Sequence, residues 1–206
     1  MLELPSTTEV GRLLPKKAFA ARLRLTPDQR ALLTADVERI VVANSLKAGT
    51  VNIPAGEGVE EILVLEVALK QRAVPQDLLR AIAEQNGHRL LFCCTHDGEC
   101  ALAVLLKDLV VSPWRALEGL ALELDPASLD ASWDALASQV AYGDKGSATE
   151  TAEERYANDA KLASMRKELA KLEERSRKEK QFVKKNELYA KAKKLKAEIA
   201  AFEEGR

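Results

Sequence analysis

Hydrophobic positions follow short, changing patterns up to about residue 142 and then settle into a single helical spacing. PKKAFAARL, residues 15–23, predicts a short helix with proline in its first turn, and Thr26-Pro27-Asp28 supplies a cap and a first-turn proline for a longer one. That second helix is expected to run to about Ala43, with Val37, Ile40 and Val41 on its inner face. TVNIPAGEGVEE is turn-rich, whereas EILVLEVALK, residues 61–70, is apolar and β-branched and predicts a central strand. Pro75 to Asn86 predicts a helix stopped by a left-handed Gly87. Arg89 to Thr95 and Glu99 to Lys107 predict two strands joined through His96-Asp97-Gly98, a hairpin signal. A short strand at Leu120 to Leu124 and a covering helix from Pro126 to Val140 complete an α+β body, a helix-covered mixed or antiparallel sheet.

Beyond it, two apolar stripes with 3-4 spacing appear. Leu162, Met165, Leu169 and Leu172 form the first, and Leu188, Ala192, Leu195, Ile199 and Phe202 the second. Extending the first register by sevens reaches Ser176, Glu179, Val183 and Asn186, so the seam fails in RSRKEKQFVKKNEL, residues 175–188. The second stripe is out of phase with the first. Either a stutter interrupts one long coiled-coil helix, or the chain folds back as an antiparallel helical hairpin. The hairpin is the better reading because each stripe then covers the other, although the turn region lacks glycine and proline. A second copy pairing through this helix is the alternative cover.

YGDKGSATET, residues 142–151, breaks the periodicity and reads as a linker. The expected organisation is a body at 1–142, a linker at 143–151 and a helical tail at 152–206, with Thr149 or Thr151 as its cap. Composition sharpens the division. The 206-residue chain has a formal charge of −1, but residues 147–206 hold 16 Lys/Arg against 12 Asp/Glu, and Lys161 to Lys196 hold 14 against five. An acidic body thus carries a basic tail. Such a charge run is commonly a solvated helix face, and it also attracts phosphate. No apolar run reaches the roughly 18–20 residues of a membrane span, no signal peptide is visible, and Cys93, Cys94 and Cys100 form no disulfide framework. A cytoplasmic location is expected.

Candidate chemistry in the body fails on spacing. Glu57, Glu60, Glu61 and Glu66 with Lys70 invite comparison with Mg²⁺-dependent nucleases of the PD-(D/E)XK type, but Ala68 stands where the carboxylate before the lysine belongs. Glu66 and Lys70 share a strand face at a separation of about 13 Å. Their ordinary roles would be a satisfied polar residue at a sheet edge or interface and a strand-end charge. Cys93, Cys94, His96 and Cys100 offer zinc-type ligands, yet alternation sends Cys94 and His96 to one face and Cys93 and Cys100 to the other. Gly56-Glu57-Gly58 matches no phosphate-binding loop. Trp114 and Trp133 read as core or interface anchors. No cofactor or metal is expected, and only Phe182 and Tyr189 are aromatics set among lysines.

Several elements carry a family resemblance: TEVGRLLPKKAFAARLRLTPDQRALLTADVERIV, TVNIPAGEGVEEILVLEVALKQR, LDPASLDASWDALASQV and, most specifically, LEERSRKEKQFVKKNELYAKAKKLKAEI. Over nearly its full length the chain resembles the bacterial domain-of-unknown-function family 4391. The resemblance implies a setting near helicase and DNA methyltransferase genes in restriction-modification-like or phage-defence clusters, and no catalytic residues. Two readings follow. One is a non-catalytic accessory subunit whose tail contacts DNA or a helicase or methyltransferase partner through Arg175, Arg177, Lys178, Lys180, Phe182, Lys184, Lys185 and Tyr189. The other is a divergent nuclease using Glu60, Glu66 and Lys70.

Overall fold

A computed structural model describes residues 2–147 and 149–204. Two units emerge, residues 1–153 and 154–206. The first is a mixed sheet with helices on its faces. Its strands are β1 (Glu9–Leu14), β2 (Val37–Leu46), β3 (Ile62–Leu69), β4 (Arg89–His96), β5 (Glu99–Leu105), β6 (Leu109–Val111) and β7 (Arg115–Ala116). They lie in the order β1-β2-β3-β4-β5-β6, with β7 also on β5; only β3 and β4 run parallel.

The helices are α1 (Lys16–Arg22), α2 (Pro27–Ala35), α3 (Ala48–Val51), α4 (Gln76–Glu84) and α5 (Leu129–Ala141). Thr26 caps α2 through a reciprocal capping box with Gln29, as the sequence signalled. The helix stops at Ala35, however, rather than at Ala43. The segment VERIVVANSL becomes β2 because its β-branched side chains pack well on a pleated surface, with Ile40, Val42, Asn44 and Leu46 buried at alternate positions. Alternation therefore overrides the helical spacing of Val37, Ile40 and Val41.

The parallel β3–β4 pair requires a crossover, and α4 supplies it. Leu78, Leu79 and Ile82 of α4 meet Leu65, Val67, Leu69, Phe92 and Cys94 in one continuous core. Each fully buried side chain of this size contributes about 1.5–3 kcal/mol. Helix α4 ends at Glu84 and Gly87 does not adopt a positive φ, so the expected left-handed stop is absent. On the other sheet face, α5 packs on β5 and β6 and buries Leu129, Trp133 and Leu136.

Asp97 and Gly98 take φ of 46° and 78°, so the β4–β5 hairpin turns as its sequence predicts. Leu120 to Leu124 form no strand; the Leu122 side chain is buried and its N–H donates to the Leu2 carbonyl at 3.1 Å. β3 lies inside the sheet, so Glu66 is not at an edge.

The second unit is a helical hairpin. Helix α6 (Ala152–Lys178) begins directly after Thr151, and α7 (Phe182–Glu204) returns beside it. Lys161 Nζ lies 4.6 Å from the Phe202 ring centre, Arg166 pairs with Glu203 at 2.5 Å, and the Ser176 hydroxyl donates to the Lys185 carbonyl at 3.4 Å. The first half of α6 thus meets the end of α7, and the end of α6 meets the start of α7. From Leu162 onward, the protected positions of α6 are Leu162, Met165, Leu169, Leu172 and Ser176, and those of α7 are Leu188, Ala192, Leu195, Ile199 and Phe202. The two stripes cover one another.

Candidate functional site

Three residues, Glu179 to Gln181, connect α6 to α7. The Glu179 N–H closes on Arg175 at 3.0 Å, its carboxylate accepts the Gln181 N–H at 2.8 Å, and the Lys185 N–H donates to the Gln181 carbonyl at 2.9 Å. None of the three has a positive φ, which explains a turn made without glycine. A side-chain carboxylate does the capping.

Around this turn the chain gathers the basic residues singled out in the sequence. Arg175, Arg177 and Lys178 occupy the last turn of α6, where the helix dipole favours cations. Lys184 and Lys185 occupy the first turn of α7, which has no acidic residue and where the same dipole disfavours them. Lys178 is bound to Glu174 at 2.6 Å, while Arg175, Arg177, Lys180, Lys184 and Lys185 are exposed and have no ion-pair partner among the described residues. Phe182 is 77% exposed, Val183 68% and Tyr189 66%. Apart from Val10 and Leu13 on β1, these are the large exposed apolar side chains of the described residues. The same short segment thus holds free cations and uncovered aromatic faces.

Sequence spacing did not disclose a groove beside it. The seam is filled by leucines lower down, but near the turn it passes through Ser176 and Ala192, whose small side chains leave the helices unfilled. A groove of about 560 Å³ opens there, floored by Ser176 and Ala192 and bordered by Glu173, Arg177, Tyr189, Lys193 and Lys196. Lys193 and Lys196 join Arg177 and Tyr189 as site residues. The available signal was their placement four and seven residues after Tyr189 on one helix face.

The alternative residues of the first unit lie apart. Glu57 and Glu60 are exposed in the loop before β3, and Lys70 follows its far end. Glu66 and Lys70 do line one cleft of about 420 Å³, together with Arg39 and His96. Each is already held, Glu66 by Arg39 at 2.9 Å and the Lys70 ammonium by the Thr34 carbonyl at 2.9 Å. Glu61 accepts from the Ser45 hydroxyl at 2.5 Å and from Lys47 at 3.2 Å. Burial pushes its carboxyl up, but those hydrogen bonds and the Lys47 and His88 charges more than offset this and hold it below the usual range.

The cysteines are all buried; hydrogen bonding with Cys100 and burial raise the Cys93 thiol, and burial pushes Cys94 up to about 12. Among the described residues, no three His, Cys, Asp or Glu side chains are placed to share a metal ion. Gly56-Glu57-Gly58 serves packing, since Asp130 of α5 accepts the Glu57 N–H at 2.8 Å and its carboxylate lies against the Gly56 α-carbon. Trp133 is buried as expected, with Arg89 over its ring at 5.4 Å, and Trp114 packs against the core beneath Arg72.

No helix of the described residues is long and apolar enough to cross a membrane. A family model described as "Domain of unknown function (DUF4391)" matches residues 2–199. No curated protein and no solved structure matches the chain.

Proposed function

Since the chain belongs to the DUF4391 family, whose description names no activity, its function has to be read from its own residues, and we propose that it is a non-catalytic accessory subunit whose helical hairpin binds nucleic acid. The observation that carries this reading is the placement of Lys184 and Lys185. They stand at a helix start that disfavours cations, next to Arg175, Arg177 and Lys180, with no acidic residue pairing any of them among the described residues. Exposed charge arranged against the local rule favours an external counter-charge, and phosphate provides one. A role beside a helicase or methyltransferase in a bacterial restriction-modification-like or phage-defence system fits a subunit that holds DNA without cutting it.

The nuclease reading has less behind it. Glu66 and Lys70 share a cleft, but both are engaged by Arg39 and Thr34, and Glu60 lies at the opposite end of β3.

The test is binding of the full chain to fluorescein-labelled DNA, followed by anisotropy across a salt series. The quadruple change Lys178→Glu, Lys180→Glu, Lys184→Glu and Lys185→Glu is expected to weaken binding at least tenfold and to flatten its salt dependence. Unaltered binding by this variant would refute the proposal.

A further inference from the structure

On α7, Phe182, Lys185, Tyr189, Lys193 and Lys196 are spaced 3, 4, 4 and 3 residues apart. At 100° per residue they fall within an arc of about 80°, a single stripe beside the buried seam. All five are exposed. The groove over Ser176 and Ala192 lies along this stripe and adds Arg177 from α6. Beyond Lys196 the stripe meets Ala200 and then Glu203, which is held by Arg166, so its basic character ends there.

We propose that this stripe is a stacking track for one unpaired nucleic-acid strand, with Phe182 and Tyr189 taking base faces and Arg177, Lys185, Lys193 and Lys196 taking phosphates. The inference rests on the nucleic-acid reading above and narrows it to single strands. Phe182 and Tyr189 are two helical turns apart, about 10.5 Å, which matches three stacked base steps of about 3.4 Å. Base faces are available to aromatic rings only where the strand is unpaired, because in a duplex they stack on one another. Duplex would use the lysines and leave both rings idle. A protein partner fits the stripe less well, since lysine is depleted from protein–protein interfaces and three of these five positions are lysine. Glu173 borders the groove as well and sets its acidic side.

The experiment measures binding of the full chain to fluorescein-labelled oligo-dT of about 20 nucleotides and to a duplex of the same length, in about 0.1 M salt, where the Debye length is about 10 Å. The wild type is expected to prefer the single strand. Phe182→Ala and Tyr189→Ala should each lower oligo-dT affinity at least about fivefold with less than a twofold change for duplex. Phe182→Tyr and Tyr189→Phe should retain binding, and far-UV circular dichroism confirms that each hairpin is folded. If the two alanine variants bind oligo-dT like the wild type, or if duplex is bound equally well, the track is wrong while the charge-based reading survives. Failure to bind either nucleic acid overturns both.

Discussion

Gly56 and Asp130 show how one atom decides a contact. A Cβ on Gly56 would stand 2.3 Å from the Asp130 carboxyl carbon, whereas one on Gly49 would meet nothing within 4 Å. Gly56→Ala is therefore expected to lower stability by about 1–3 kcal/mol, while Gly49→Ala leaves it unchanged or raises it by up to about 1 kcal/mol. Urea denaturation of the two variants checks the pair. Two carboxyls predict opposite pH behaviour. Burial raises Asp134, with Glu153 adding to it and the Ala152 N–H and Arg89 opposing. A raised carboxyl contributes stability below its unfolded pKa and loses it as pH rises through the folded value. Asp134→Asn should accordingly stabilise at pH 7, the gain fading in acid. Glu61 is lowered, so its contribution is present above the unfolded pKa and is lost as pH falls through the folded one. Glu61→Gln should destabilise at pH 7, and that deficit should close in acid.

Among the elements, the apolar seam between α6 and α7 holds the site in place. Ile199 is buried in the seam, and Ile199→Ala is expected to cost the hairpin about 2–5 kcal/mol, read from the thermal loss of helical circular dichroism. The two apolar stripes were legible in the sequence because their phases disagreed, and of the two geometries that allow this, a stutter and a fold-back, only the fold-back lets each stripe cover the other within one chain. The β3 strand and the β4–β5 hairpin were legible for a similar reason: β-branched runs and Asp97-Gly98 have few alternative uses. VERIVVANSL was misread because 3-4 spacing and alternation coexist in it, and its pairing with β3, residues distant in sequence, settles the choice. The β1 strand escaped notice because an exposed edge strand has no buried alternation to reveal it. At the site, the cations and aromatics near the turn were visible as composition, but the groove was not. It depends on Ser176 of one helix meeting Ala192 of the other, a coincidence that no local pattern contains.

Across the whole molecule, charge is segregated more strongly than a net of −1 suggests. Residues 1–153 carry 15 basic and 22 acidic side chains, and residues 154–206 carry 16 and 10. A chain with that net charge and an isoelectric point near 6.2 would bind polyanions poorly if its charges were mixed evenly. Binding should therefore follow the second unit alone. For oligo-dT, three to five phosphate contacts predict a slope of log affinity against log salt of about −2 to −4, at roughly 0.7 per contact. Reversing exposed cations of the first unit, Arg22→Glu with Arg24→Glu, should leave that slope unchanged, whereas Lys193→Glu with Lys196→Glu should reduce its magnitude by about 1 or more. An equal loss from both pairs would mean that the potential of the entire chain, rather than contacts along α7, governs the encounter.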